Sequence, residues 1–383
     1  MKLRHSIAIV LSTLTLSQHL YATNTIGSND LSQRWSVLRQ EQPKLQVRDA
    51  AQKLGVSEAE LIATQAVRLQ SGSEAARAIM RRALDLGEVM ALTRNEHGVI
   101  ENTGTAKRTP IKPITAEMSD EEKRRIQTSL GGYIGGPIDL RFHFQKWEHA
   151  FALTQTKDGK TTRSLQFFDA SGNALHKIYV KSDSGNAIFD QIKEEFRHPQ
   201  AQSPLTPSLS LANNSTKPST SADAEIDVKE FQLAWKEMSD VHQFNRLLTE
   251  FKLNREQAFR LAPQGMTSPT PVASLRNLLT QAAQKQVGIM AFLGNSGVTQ
   301  IFSGTITKVA ASGDWFNVLD PNFNLHLRET ALARAWVIQR AGITSIEFFD
   351  KEGELVVSFF AVRENGKPQP QAWLDLVASL PRA

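Results

Sequence analysis

The amino-acid sequence contains one unit twice, and this duplication constrains the fold more than any other feature. Residues 90–105 (MALTRNEHGVIENTGT) align without gaps with residues 290–305 (MAFLGNSGVTQIFSGT) and share Met, Ala, Asn, Gly and Thr positions. Residues 164–175 (SLQFFDASGNAL) match residues 345–356 (SIEFFDKEGELV) in the same way. Because the matches occur in the same order in both halves, the chain is predicted to form two related units.

The repeated segments are predicted to be β-strands. They alternate apolar and polar residues between glycine-containing turns, and residues 170–173 (ASGN) are predicted to form a hairpin turn. Between the two matched pairs, residues 138–151 and 323–336 keep the same spacing from leucine to aromatic residue. A mainly antiparallel sheet is therefore expected in each half.

The first half opens with helical sequence. Residues 30–66 predict helices that are broken at Pro43 and at Gly55. After the second break, Ser57 and Glu60 have the spacing of a capping box, in which each side chain accepts a hydrogen bond from the other residue's backbone N–H.

The second half repeats this helical opening. Its helical sequence runs from Phe231 through HQFNRLLTEFKLNREQAFRLA, and the comparison places Arg255 opposite Arg48 of the first half. We therefore predict an α+β fold built from an internally duplicated unit, in which helices precede a mainly antiparallel β-sheet in each half. A ligand cleft is expected where the halves meet.

Four segments are predicted along the 383 residues, a length that suits two domains. Residues 1–30 are a leader or extension: Lys2 and Arg4 precede a short apolar run, as in a signal peptide, and the alternative is an unstructured extension or a misassigned start. Residues 31–198 are the N-terminal repeat and residues 227–383 the C-terminal repeat. Residues 199–226, rich in Ser, Pro, Thr and Asn, are a linker.

Composition excludes several kinds of chemistry. The chain has no cysteine, so disulfides, thiolate nucleophiles and iron–sulfur clusters are excluded. The net charge of +5 comes from Lys and Arg interspersed with Asp and Glu, which favours a small anionic ligand over nucleic acid. No segment is long and apolar enough for stable membrane insertion. The phosphate-binding loop, HExxH, GxSxG and Rossmann motifs are absent from the sequence.

Among the nine histidines, His242 has the most informative position. Asp240 and Gln243 have the spacing of a helix-capping pair, which places His242 in the first turn of a helix. The helix dipole there disfavours imidazolium, and neutral imidazole is the form that binds a metal. A histidine that simply packs within the helical layer fits the same pattern.

A single ligating histidine suits haem better than zinc. Zinc takes three or four protein ligands, whereas the porphyrin supplies four nitrogens and the protein one axial group. The two haem propionates require cations, and Arg255, Arg340 and Arg363 are candidates because they flank the predicted helix and strands of the second half. Solvated surface arginines fit the same positions.

The sequence resembles the bacterial hemin-transport and hemin-degrading factor family. The resemblance runs from about Leu31 to the C-terminus and includes WKEMSDVHQFNRLL, IMAFLGNSGVTQIFSGTITKV, WFNVLDPNFNLHLRE and LQVRDAAQKLGVSEAEL. It implies a duplicated α+β fold with haem (iron protoporphyrin IX) in the cleft between the halves. It also implies that His242 is the axial iron ligand and that Arg141, in the segment IDLR, acts on the opposite face of the haem. Arg255 and Arg363 fall on positions that hold the propionates.

The departures from the family pattern lie at the edge of the implied pocket. His143 stands where a phenylalanine usually closes the pocket, and we treat it as a candidate sixth ligand. Arg340 replaces a lysine of the propionate cradle, and Ser358 and Phe360 replace a glutamine and a tyrosine. The resemblance therefore implies haem binding through His242, Arg141, His143, Arg255, Arg340 and Arg363.

Three functions are compatible with this sequence. The first is a haem carrier that accepts, sequesters and transfers imported haem, and the second is an enzyme, with Arg141 as a catalytic residue, that opens the porphyrin with O₂ and an external electron donor to release iron. The third is a haem-free repeat scaffold for protein contacts. The family implies a cytoplasmic monomer or dimer whose partners are a haem importer and a haem oxygenase or reductase, and the leader suggests the periplasm instead.

Overall fold

The computed structural model describes residues 28–106, 113–118, 123, 130–201, 205, 220–364 and 367–382. Residues 1–27 of the predicted leader and most of the predicted linker lie outside this range. The helices of the first half are α1 (Ser28–Glu41), α2 (Val47–Leu54), α3 (Glu58–Ala63), α4 (Ser73–Ala83) and α5 (Asp183–Glu195). Those of the second half are α6 (Val228–Glu237), α7 (Gln243–Glu250), α8 (Arg255–Leu261), α9 (Ser274–Lys285) and α10 (Gln371–Ala378).

The strands follow the same division. The first half contributes β1 (Val67–Arg68), β2 (Glu88–Arg94), β3 (Gly98–Thr105), β4 (Asp139–Phe142), β5 (His149–Lys157), β6 (Lys160–Phe168) and β7 (Ala174–Val180). The second half contributes β8 (Thr267–Thr270), β9 (Ile289–Gly294), β10 (Val298–Gly304), β11 (Val309–Ser312), β12 (Trp315–Asp320), β13 (Phe323–Arg328), β14 (Leu332–Arg340), β15 (Ile343–Asp350) and β16 (Leu355–Ala361). The α+β fold and its duplication are confirmed.

The helix boundaries follow the capping signals in the sequence. Gly55 ends α2 in the left-handed conformation, with φ 70°, which a residue with a Cβ adopts only at a cost. Ser57 and Glu60 form the predicted capping box at the start of α3. The corresponding box at the start of α8 is formed by Asn254 and Gln257.

These two boxes correct one match made from the sequence. Since Ser57 and Asn254 occupy the same position before α3 and α8, the residue that corresponds to Arg255 is Glu58 and not Arg48. Arg48 instead lies within α2, the counterpart of α7. The charge at this position is therefore opposite in the two halves.

All strands lie in two antiparallel sheets, and each sheet contains strands from both halves. Sheet 1 has the order β1-β5-β6-β7-β2-β3-β13-β12-β11, and sheet 2 has the order β4-β10-β9-β16-β15-β14-β8. The first half thus gives β4 to sheet 2, while the second half gives β13, with β12 and β11, to sheet 1. The sequence predicted one sheet from each half, and this exchange of strands is the main difference.

Each sheet has an inner and an outer face. The inner faces carry α4 and α5 on sheet 1, and α9 and α10 on sheet 2. The outer faces carry the helical openings, α1–α3 on sheet 1 and α6–α8 on sheet 2. Among the described residues, no helix combines the length and the apolar character that crossing a bilayer requires.

Candidate functional site

The outer face of sheet 2 forms the floor of an open cleft. Directly paired residues of neighbouring strands project to the same face, and the pairing joins Arg141 to Thr299, Phe292 to Ser358 and Met290 to Phe360. From β4 at one edge to β15, four strand spacings of about 4.8 Å give about 19 Å. The residues of this floor are mainly apolar and only partly buried: Met290, Phe292, Thr299 and Phe360.

Helices α6–α8 border the cleft on the side of β14 and β15. Phe244 and Phe259 stack at 5.8 Å between ring centroids and pack, with Leu247, against Ile338 and Phe349 of the sheet. This apolar contact fixes the position of α7 relative to the floor. The N-terminus of α7 is therefore held at the cleft by buried aromatic side chains.

His242 directly precedes α7. The sequence placed it within the first helical turn, but the helix begins at Gln243, and His242 is the flanking residue. Its backbone N–H donates to Oδ1 of Asp240 at 2.8 Å, and its Nδ1 lies 2.5 Å from the same oxygen. The side chain is 87% exposed. With Nδ1 held by the carboxylate, Nε2 is the nitrogen left for a ligand.

Asp240, which the sequence showed only as a helix cap, is the residue that contacts the His242 side chain. The hydrogen bond from the His242 backbone N–H lowers the pKa of Asp240, and the charge of Arg363 adds to this effect. Asp240 is therefore ionised near neutral pH and orients the imidazole. Arg363, which is exposed, therefore lies near Asp240.

Arg141 lies on β4, at the edge of the same floor. Its Nη1 donates to Oδ1 of Asp139, two residues earlier on the same strand face, and to the backbone oxygen of Leu140 at 3.2 Å. Its side chain is 44% exposed, whereas Asp139 is buried. The guanidinium is thus anchored at one end and open to the cleft at the other. The two-residue spacing of Asp139 and Arg141 in the segment IDLR puts both side chains on one face of the strand.

Glu347 forms ion pairs with two of the arginines that were predicted to bind the haem propionates. Arg255 Nη1 donates to Glu347 Oε2 at 3.1 Å, and Arg340 Nη2 donates to Oε1 at 2.6 Å. Burial by itself raises the pKa of Glu347, but the two guanidinium groups outweigh it, so the pKa lies below its usual range. The side chain of Arg255 is 27% exposed and that of Arg340 only 4%.

Arg340 is consequently a buried ion-pair partner. Its guanidinium lies 4.4 Å from the Phe244 ring centroid, and Nη2 also donates to the Ser345 hydroxyl at 3.3 Å. The sequence predicted a cation at the ligand's edge, and the structure places this side chain behind Phe244. Any effect on a ligand passes through Glu347 and Arg255.

His143 follows β4, and its side chain is exposed. Its backbone N–H donates to the carbonyl of Gly297 at 2.9 Å, which fixes the chain beyond the strand. It lies two residues after Arg141, just beyond the end of the strand. Its role as a sixth ligand stays a prediction.

The residues present fit a haem. The cleft offers one imidazole with its Nε2 directed away from the carboxylate that holds Nδ1, a partly exposed apolar floor for a porphyrin, and cations at Arg141, Arg255 and Arg363 for carboxylates. Among the described residues, no second histidine or carboxylate completes a zinc site around His242.

The chain matches known families in both halves. Residues 252–380 match the haemin-degrading HemS/ChuX domain, and residues 68–198 match the haem utilisation family ChuX/HutX. The hemin transport protein HmuS of Yersinia pestis is 34% identical over 91% of this chain and 97% of its own length.

Solved structures show the same architecture over nearly the whole chain. Holo-PhuS, a haem-binding protein from Pseudomonas aeruginosa, is similar with a TM-score of 0.81, 33% identity and coverage of 93% of this chain and 100% of its own. The haem-degrading enzyme ChuS of Escherichia coli O157:H7 has a TM-score of 0.77 at 28% identity, with the same coverage. This chain belongs to the haemin-degrading HemS/ChuX family of hemin transport proteins.

Proposed function

We propose that this protein binds haem on the outer face of sheet 2, accepts it after import, sequesters it and transfers it onward. The observation that carries the proposal is the exposed imidazole of His242, whose Nδ1 is held by Asp240 at 2.5 Å beside a half-exposed apolar floor. Its Nε2 is the proposed iron ligand. The fold shared with haem-binding PhuS supports this assignment.

The other charged residues have distinct roles in this proposal. Arg141, anchored by Asp139, presents hydrogen-bond donors and positive charge from the opposite edge of the floor. Arg255 and Arg363 bind the propionates, and Arg255 is oriented by Glu347. Arg340 supports Glu347 from within the protein.

Oxidative opening of the porphyrin is a second activity of the same site. Bound haem supplies the redox and O₂ chemistry, and electrons come from an external donor. This chain contributes the iron ligand His242, and Arg141 is the proposed catalytic residue, supplying the charge and hydrogen-bond donors near the reacting ring. The haem-degrading enzyme ChuS, with the same fold, supports this part of the proposal.

We also propose a cytoplasmic location, because haem that an inner-membrane importer delivers emerges there. The importer and a haem oxygenase or reductase are the proposed partners. A periplasmic location is the alternative if residues 1–22 are a cleaved signal peptide.

A hemin titration followed by ascorbate under O₂ tests the proposal on wild type, His242→Ala and Arg141→Ala. We expect the wild type to bind hemin, His242→Ala to lose most of the affinity, and Arg141→Ala to bind but to degrade haem more slowly. Binding without loss of the Soret band in the wild type would leave the carrier and remove the enzyme. A wild type that does not shift the Soret band would favour the haem-free repeat scaffold.

A further inference from the structure

A second cluster of metal-ligating side chains lies away from the haem cleft, at a contact between the two halves. His97 in the turn between β2 and β3 approaches Asp350 and Glu352 in the turn between β15 and β16, and one ligand atom of each lies within 4.8 Å of the others. Asp350 is 4% exposed, whereas Glu352 is half exposed. The cluster is therefore anchored inside the protein and accessible from solvent.

The contact between His97 and Asp350 has the geometry of two ligands of one ion. Nε2 of His97 is 3.6 Å from Oδ2 of Asp350, too long for a hydrogen bond. Two ligands about 2.1 Å from a tetrahedral zinc ion lie about 3.4 Å apart. Nδ1 of His97 is buried, and no described residue makes a hydrogen bond to it.

The corresponding turn of the first half makes more hydrogen bonds to its aspartate. There, Asp169 Oδ1 accepts from the backbone N–H groups of Ser171 and Asn173 at 2.9 and 2.8 Å, and Oδ2 accepts from Asn173 Nδ2 at 3.1 Å. In the second half, Glu352 and Glu354 take the positions of Ser171 and Asn173. The Glu354 backbone N–H still donates to Asp350 Oδ1 at 2.9 Å, but Oδ2 of Asp350 lies 3.6 Å from Nε2 of His97.

The opposing turn differs at the matching place too. The residue that corresponds to His97 is Gly297, which has no side chain to bind an ion. Both turns that carry the cluster therefore have counterparts in the other half of the same chain. All three liganding positions differ in chemistry or in hydrogen bonding from their counterparts, so this cluster occurs at one of two equivalent places.

The charge around the cluster suits a divalent cation. The two carboxylates of the cluster, Asp350 and Glu352, carry the charge that one divalent ion balances. The nearby Glu256 is paired with Arg334, whose Nε donates to Glu256 Oε1 at 2.6 Å, and Lys351 lies 3.5 Å from Glu352.

The turn that carries His97 is already held against the second half. Asn95 Oδ1 accepts from the His97 backbone N–H at 3.1 Å, and Asn95 Nδ2 donates to the Val356 carbonyl at 2.8 Å. His97 therefore reaches Asp350 from a fixed backbone, which reduces the entropy lost when a ligand binds.

We propose that His97, Asp350 and Glu352 bind one divalent transition-metal ion of the Zn²⁺ class, with water completing its coordination. The imidazole selects such an ion over Mg²⁺ or Ca²⁺, which prefer oxygen ligands only. The ion joins the β2–β3 turn of the first half to the β15–β16 turn of the second. This site is independent of the haem cleft.

Equilibrium dialysis of the full-length, chelator-treated protein against ZnCl₂, with the bound metal quantified, tests the proposal. We expect wild type to bind about one Zn²⁺ more per chain than His97→Gln, Asp350→Asn or Glu352→Gln. Zn²⁺ should also raise the melting temperature of wild type more than that of Glu352→Gln, a change at a half-exposed position that leaves the fold intact.

Asp169→Asn is the matched control, since it makes the same change in the corresponding turn of the first half. Its Zn²⁺ stoichiometry should equal that of wild type, and so should that of His198→Gln, which changes a histidine outside the cluster. Equal stoichiometry in wild type and the three cluster variants would overturn the proposal. So would a loss in Asp169→Asn as large as that in Asp350→Asn.

Discussion

Asn95 and Asn295 make matching hydrogen bonds in opposite directions across the contact between the two halves. Asn95 Nδ2 donates to the carbonyls of Val356 and Gly294 at 2.8 and 3.2 Å. Asn295 Nδ2 donates to the carbonyls of Leu175 and Arg94 at 2.8 and 2.9 Å. Because the acceptors occupy corresponding positions, the repeated asparagine is what joins the halves symmetrically.

Loss of either asparagine should destabilise the protein by a similar amount. Asn95→Ala and Asn295→Ala each remove two hydrogen bonds to partly buried carbonyls, and we expect a decrease of about 2 kcal/mol in the free energy of unfolding, measured with urea. Asn→Asp at the same positions keeps the acceptor for the turn but loses the donors, and it should give most of the same effect. A change below about 0.5 kcal/mol in both alanine variants would contradict this account.

The exchange of strands predicts that the halves stay associated after the chain is cut. A protease site placed within residues 206–219 separates them covalently, but β4 remains paired with β10 and β13 with β3. We expect the cut protein to elute as one particle of unchanged size in gel filtration. Two separate particles under native conditions would show that each half folds without its exchanged strands.

A buried histidine gives the fold a defined response to acid. His176 Nδ1 lies 2.9 Å from Thr93 Oγ1, whose hydroxyl donates to Gln300 Oε1 at 2.8 Å. Nδ1 therefore carries the proton, and Nε2 is buried without a partner among the described residues. Burial lowers the pKa of His176 to about 3, so the folded protein keeps the ring neutral.

Stability should therefore fall as the pH drops from 7 to 5. The unfolded chain takes up a proton at a His pKa of about 6.5 while the folded protein does not, which lowers the free energy of unfolding by about 2 kcal/mol at pH 5. His176→Asn keeps a donor near Nδ1 but cannot bind the proton, so its urea midpoint should fall less over this range. An equal pH dependence in both proteins would show that His176 is not responsible.

Asp240 should affect haem affinity without contacting haem. Asp240→Asn removes the charge that orients His242, and loss of such an outer-shell carboxylate weakens metal binding about 10–100-fold. Hemin titration measures this change, and Glu237→Gln, at an exposed acid of the same segment, should bind as wild type does. Wild-type affinity in Asp240→Asn would show that the contact at 2.5 Å does not orient the ligand.

The sequence predicted the elements of the fold better than their partners. Apolar alternation and the repeat at residues 90–105 and 290–305 indicate strands and duplication because side chains reverse at every residue of a strand. The alternation of β4 is the same whichever strand lies beside it, so the pairing of Arg141 with Thr299 across the halves could not be predicted. That choice depends on packing between distant segments.

The residues of the candidate site were likewise easier to predict than their contacts. His242 and Arg141 were identified through short segments, whereas the contact between Arg141 and Asp139 was not predicted and is seen only in the structure. From the sequence, Arg340 was predicted to be a cation at the surface. The sequence does not show that its guanidinium and the carboxylate of Glu347, seven residues later, meet inside the protein. A buried ion pair depends on which face of the sheet the helices cover, and this is a tertiary property.

The central claim is that His242 is the protein's haem-iron ligand, and a hemin titration monitored at the Soret band tests it most directly. Wild type, His242→Ala and His143→Ala should be compared at the same pH. We predict that His242→Ala loses the Soret shift and most of the affinity, while His143→Ala still binds hemin. An unchanged titration for His242→Ala, or a loss in His143→Ala alone, would contradict the account.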